Sequence, residues 1–271
     1  MTVCGSSWQP IEINRSIQAI HSSTKVVKVM TDAGIGYLKG MGNPQGDQAL
    51  SCELVGTELA HMVGLNTAPC AILDVCDIEL VRADNGTVGF GPAFISKELI
   101  GFPGSGEQSF FKSWARPDDA ALLAVLDTLI CNEDRCPPPD ALDPRPNWDN
   151  LFFTQSGQKF DLIAIDHTHC FSEGEIEEAD LGPAYIENPR VFGAFPEHRS
   201  LITDEAVDRA ISALEIIDAR RVEEIVGSVP REWGPTKAKR DEWARAIVMR
   251  ASWLQGNLYA ALTRQFRLGL D

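Results

Sequence analysis

The sequence predicts an α+β fold, with β-rich stretches early in the chain and helical segments towards its end, for which one bilobed domain is the simplest fit. Apolar residues and turn formers alternate from Val26 to Met41, and a second hairpin pattern runs from Asn150 to Asp166. Apolar residues then recur at helical spacing from Asp204 towards the C-terminus. With 271 residues and 44% hydrophobic content, the chain can bury one large core or two lobes.

Val26-Val27-Lys28-Val29-Met30 and Tyr37-Leu38-Lys39-Gly40-Met41 read as two strands. The turn formers of Thr31 to Gly36 join them into a hairpin that delivers Lys39 from a strand. A loop over Asn43-Pro44-Gln45-Gly46-Asp47 precedes a helix from about Gln48 to Val63. Leu54, Val55, Leu59, Met62 and Val63 form its apolar stripe, Asp47 its N-cap and Gly64 its stop, and Glu53 lies near its start. Pro117-Asp118-Asp119 opens another helix, with acids at the positive end of the dipole, and Ala120 to Cys131 continues it. Asn150 to Thr154 and Lys159 to Asp166 form the second hairpin around Ser156-Gly157. Helices follow over Asp204 to Ile217, Ala219 to Val226 and Lys237 to Phe266, the last with Trp243, Ile247, Leu254 and Leu258 as a buried stripe. Phe171 to Arg199 is acidic, rich in Gly and Pro, and fits no regular element. No internal repeat or second domain is evident.

The balance of 39 acidic and 24 basic residues, net charge -15, disfavours nucleic acid and anionic lipid as partners. No apolar run reaches the length of a membrane span, and Met1 to Ser7 lacks the features of a signal peptide. Seven irregularly spaced cysteines argue for reduced thiols, and together these features predict a cytoplasmic protein.

Asn150 and Asp166 lie roughly level at the open end of the second hairpin, so an amide carbonyl and a carboxylate meet in one place. That pair suits a hard, six-coordinate cation that keeps waters and takes its other ligands from phosphates, as magnesium does on a nucleoside triphosphate. Asp134, in Asn132-Glu133-Asp134-Arg135, is then the candidate that orients a hydroxyl for phosphoryl transfer. Lys39 followed by the helical Glu53 suits a lysine held over nucleotide phosphates by a carboxylate. Each residue also has an ordinary explanation, since Asp and Asn populate turns and most Lys and Glu are solvated. His167, His169 and Cys170 invite a zinc reading, but they lack a second ligand pair at a customary spacing. Cys131, ending an apolar helix, reads as core, and Cys131 and Cys136 do not make a Cys-x-x-Cys pair.

In this order the segments resemble the HipA-like kinases, distant relatives of the protein and phosphatidylinositol kinases. The resemblance rests on Tyr37-Leu38-Lys39, on Leu50-Ser51-Cys52-Glu53 leading to Gly64-Leu65-Asn66-Thr67-Ala68-Pro69, on Asn132-Glu133-Asp134-Arg135 and on Ile165-Asp166-His167. The tail from Ile225 to Trp233 resembles that of short, single-domain members, and the likeness covers about residues 20 to 265. It implies a protein-kinase-like fold over residues 1–271, with a small β-rich N-lobe (about 20–94) and a larger helical C-lobe (95–271). It also implies an ATP- and magnesium-dependent phosphotransferase acting on a Ser or Thr hydroxyl of a protein. Lys39 would then contact the phosphates, Glu53 would pair with Lys39, Asp134 would be the catalytic base, and Asn150 and Asp166 would bind magnesium. A hinge over Phe90 to Glu98 would offer adenine its backbone, with Phe94, Ile95 and Ser96 at the nucleotide. A small-molecule acceptor and a catalytically silent nucleotide-binding module are the alternatives.

The chain departs from the family pattern in three places. The metal-binding Asn belongs five residues after the catalytic Asp, whereas a Pro/Asp-rich stretch from Cys136 to Asp149 intervenes here, an insertion of 11 residues. Loop closure tolerates such length, and Asn147 competes with Asn150 for the metal position. Cys136 replaces the usual His after Asp-Arg, and no Walker A or Gly-x-Gly-x-x-Gly loop occurs in the lobe.

Overall fold

In the computed structural model, which describes residues 4–267, β1 (Ile13–Ala19), β2 (Val27–Thr31) and β3 (Gly34–Lys39) form an antiparallel meander. The β2–β3 hairpin corresponds to the predicted one, while β1 adds an edge strand ahead of it. After β3 comes helix α1 (Gln48–Met62), then β4 (Asn66–Thr67), β5 (Cys70–Val75), β6 (Gly91–Lys97) and β7 (Gly101–Pro103). The first sheet has the order β1-β2-β3-β6-β5. The expected lobe boundary between residues 94 and 95 therefore falls inside a central strand, and the sheet spans Ile13 to Lys97.

The remainder holds α2 (Gln108–Phe111), α3 (Asp119–Ile130), the hairpin β8 (Leu151–Ser156) and β9 (Lys159–Ala164), α4 (Cys170–Glu173), α5 (Pro183–Ile186), α6 (Asp204–Ser212), α7 (Ala219–Gly227) and α8 (Lys237–Arg267). The second sheet has the order β4-β9-β8-β7, with β4 parallel to β9. Because β4 leaves α1 directly, the helix exit is stitched to the strand that leads to Asp166. Gly64, at φ +100°, supplies the left-handed residue that this exit requires.

Helix α1 is buried all round from Ala49 to Ala60, packed against β6, α3, α4 and α7. The single apolar stripe read from its sequence understates this, since Ser51, Glu53, Thr57 and Glu58 are enclosed too. Asp47 stands before the helix but does not cap it: its Oδ1 accepts from the backbone N–H of Gly42 and Asn43 and closes the preceding loop. Phe171 to Arg199 is anchored rather than a loose surface connection, with Phe171, Ile176, Leu181, Phe192 and Phe195 buried. Trp243 of α8 packs edge-on against Phe171 at 5.0 Å between ring centroids. Among the described residues no helix is long and apolar enough to cross a membrane.

Arg250 of α8 is fully buried, and its guanidinium donates to the carbonyls of Thr128, Leu129, Tyr185, Ile186 and Asn188. It thereby satisfies the C-terminal carbonyls of α3, whose negative dipole end suits a cation. Cys131 follows in the left-handed region at φ +50° and turns the chain into Asn132 to Arg135.

His198 sits among Phe111, Trp114, Trp148 and Phe195 with neither ring nitrogen paired. Burial pushes its pKa down to about 3. The unfolded chain takes up this proton near pH 6.5 and the native state refuses it until about pH 3, so this stability is present above pH 6.5 and lost as pH falls. We expect a loss of about 2 kcal/mol between pH 7 and 5 from this residue. Urea midpoints at both pH values should show that His198→Phe removes this share; an unchanged pH dependence would count against it.

Candidate active site

Lys39, the last residue of β3, lies opposite Phe94 of β6 and directs its ammonium into the cleft. Its Nζ donates to Glu53 Oε2 of α1 and to Asp166 Oδ1 beyond β9, both at 2.9 Å. One cation therefore joins the first sheet, the buried helix and the end of the second hairpin. Burial pulls the Lys39 pKa down, but Asp166 and Glu53 outweigh it and hold the amine well above its ordinary value. Burial raises Asp166, and Lys39 together with the Thr168 hydroxyl more than reverses this, leaving the carboxyl well below the usual carboxylate range. Glu53 moves upwards because burial dominates and a single ammonium cannot fully compensate two carboxylates.

Beside this triad, Asn150 Nδ2 donates to Asp134 Oδ2 at 2.6 Å. The carboxylate can only accept, so the amide nitrogen faces it and the Asn150 carbonyl oxygen is left for a cation. Asp134 is held in turn by its backbone N–H, which donates to Asn132 Oδ1 at 3.2 Å.

Arg135, fully buried, explains why the insertion does not scatter these groups. Its Nη2 donates to Ile165 O at 2.6 Å, its Nε to Asn150 O at 3.3 Å, and its Nη1 pairs with Asp127 Oδ1 of α3. One guanidinium thus fixes the residue before Asp166, Asn150 itself and the loop that carries Asp134. Asn147 is placed differently: its backbone N–H donates to Arg135 O, and Asn150 carries the side chain paired with Asp134.

A cavity of about 280 Å³ opens beside the triad, lined by Lys39, Glu53, Phe94, Ser96, Phe152 and Asp166 among others. Ile95 does not reach it. Alternation along β6 turns that side chain into the core on the other face of the sheet, with Trp8, Val27 and Leu38. The expected hinge over Phe90 to Glu98 also needs correction. Residues 91–97 are strand β6, flanked by β3 and β5, so the backbone at Phe94, Ile95 and Ser96 is committed to the ladder. The N–H groups of Lys97 and Glu98 are taken by Pro69 O and Ile35 O. The link between the sheets is Glu98 to Ile100, and Leu99 lines the cavity.

A family model for HipA-like kinases matches residues 29–266. The chain belongs to the HipA-like kinase family. As such it is a kinase-type phosphotransferase, and Lys39, Glu53, Asp127, Asp134, Arg135, Asn150 and Asp166 lie within the matched span. A crystal structure of the proinflammatory kinase CtkA from Helicobacter pylori is similar over the full length of both chains, with 12% identity and a TM-score of 0.58. At that identity the likeness establishes a shared kinase fold. No curated protein matches the sequence.

Three residues of this HipA-like kinase site escape a reading by sequence. Asp127 is visible in retrospect as an acid inside the apolar run from Leu122 to Ile130, where burial demands a partner. Thr57 and Thr168 carry no such signal. His167 and Cys170 are buried and packed on α1, and among the described residues no three His, Cys, Asp or Glu side chains gather to hold a metal.

Proposed function

We propose that this kinase transfers phosphate from ATP, with magnesium, to a Ser or Thr hydroxyl of a protein. The observation that carries the reading is the bridge from Lys39 to both Glu53 and Asp166, with the Asp134–Asn150 pair tied alongside through Arg135. The donor set fits the cation: the Asn150 carbonyl and the Asp166 carboxylate are hard oxygens, too few to enclose it, which suits magnesium that takes further ligands from phosphates and water. When bound, magnesium would neutralise charge developing on the phosphates.

Lys39 supplies the protein's cation for the phosphates, and Glu53 would keep it aimed with Asp166 also serving as a ligand to magnesium. Asp134 holds the acceptor hydroxyl and takes its proton on a carboxylate oxygen, while Asn150 steadies that carboxylate. Phe94, Phe152 and Leu99 offer an apolar wall to the base. Seven cysteines without a disulfide favour a cytosolic setting. The HipA-like membership favours a protein acceptor, and a labelled-ATP screen of protein and small-molecule acceptors tests that choice.

Binding has its own test. ATP should raise the melting temperature only with a divalent cation present, because a ligand of the native state stabilises it by mass action. Equal stabilisation by ATP in excess chelator would remove Asn150 and Asp166 from the metal site.

A further inference from the structure

The residue after Asp166 touches α1 at successive positions on one face. The His167 backbone N–H donates to Glu53 Oε2 at 2.9 Å, so the oxygen that holds Lys39 also holds His167. Its ring Nδ1 is 3.2 Å from Thr57 Oγ1, one turn further along the helix. Between them stands Gly56, where an added Cβ would lie 2.5 Å from His167 Cβ and 2.9 Å from Cγ. The His167 side chain can lie this close to α1 only because that position has no side chain of its own. On the far side of His167, Thr168 Oγ1 donates to Asp166 Oδ1 at 2.7 Å, and Asp166 itself takes φ +58°. Cys170 completes the contact through Cys52 O at 3.6 Å.

Resting on the function proposed above, we infer that His167 is a positioning residue that clamps α1 to the Asp166 segment and so sets the Lys39–Glu53–Asp166 triad from inside the protein. Glu53 cannot leave Lys39 without breaking the His167 bond, and α1 cannot shift without moving the His167 ring. Arg135, which follows the catalytic Asp, is buried and fully engaged with Asp127, Ile165 and Asn150. The triad is therefore assembled by packing and does not draw on a mobile phosphorylated segment docked on that arginine.

The test uses the full chain well below its melting temperature. Thr57→Val and His167→Leu remove the ring contact but keep the backbone N–H, and Gly56→Ala wedges the segments apart. MgATP affinity by calorimetry should stay within about threefold, while hydrolysis of γ-labelled ATP falls about tenfold to a hundredfold, as expected for displaced catalytic groups. The double variant Thr57→Val/His167→Leu should be no slower than the slower single variant, because both remove one contact. Unchanged hydrolysis, additive losses, or affinity and rate falling together with stability would overturn the clamp.

A readout free of nucleotide separates the two proposals. Acylation of Lys39, followed by peptide mass mapping, should be faster in all three variants than in the wild type, since a loosened triad exposes the amine. If wild-type protein neither binds nor hydrolyses MgATP, the functional reading fails and this labelling alone decides the clamp. Equal labelling of wild type and variants would overturn it.

Discussion

Asp134→Asn is expected to leave MgATP affinity nearly unchanged while lowering turnover by about a hundredfold or more. The asparagine keeps an oxygen to accept from Asn150 Nδ2, so the 2.6 Å contact that orders the loop survives and only proton acceptance is lost. Asp166→Asn should behave differently. It removes one of two charges facing Lys39 and replaces the anionic metal ligand with a neutral amide oxygen, so magnesium-dependent binding itself should weaken. Calorimetry of MgATP binding alongside turnover separates the two. Wild-type turnover in Asp134→Asn would remove that residue from the chemistry.

Arg135→Met is expected to cost about 3–5 kcal/mol of stability, the usual consequence of leaving a buried charge unpaired. Asp127 is fully buried, one oxygen serves Arg135 and Asn132, and the other has no partner, so nothing nearby can take over the charge. Burial already drives the Asp127 carboxyl upwards against the guanidinium, so without Arg135 it should take up a proton instead. The carbonyls of Asn150 and Ile165 lose their donor at the same time. Asp127→Asn leaves the buried guanidinium without its anion but should cost less, because the amide oxygen still accepts from Nη1 and the carbonyls of Asn150 and Ile165 keep their donor. Urea unfolding of the two variants checks this ranking, and a loss under about 1 kcal/mol for Arg135→Met would refute the keystone role.

Much of the fold is legible locally. The β2–β3 hairpin follows from Gly34 and Gly36 between β-branched and apolar runs, and β8–β9 from Gly157 in a two-residue turn. Helices α3, α7 and α8 lie close to their predicted spans because their periodicity and first-turn residues agree, whereas α6 starts where expected, capped by Thr203, but ends at Ser212 and gives way to a 3-10 turn before Ile217. The edge strand β1 is less visible, since Ile13 to Ala19 is mostly exposed and lacks a clean apolar alternation. The segment around Ile95, which the family resemblance suggests as a hinge, is a strand paired on both sides, and strand pairing is a long-range property.

Local sequence dictates which chemistry is available: a strand lysine, a helix glutamate, an Asp-Arg loop and a hairpin whose open end joins Asn150 to Asp166. These are local facts, set by backbone propensity and by the period of two along a strand. Their meeting is a property of long-range packing, because the insertion between Asp134 and Asn150 leaves their separation free in sequence terms. The deciding contacts are buried and far apart along the chain. Asp127 pairs with Arg135, Arg135 reaches Ile165 and Glu53 holds His167. In a buried setting each unpaired polar group would be costly, and that cost favours the arrangement in which Arg135, Glu53 and the His167 N–H find their partners together.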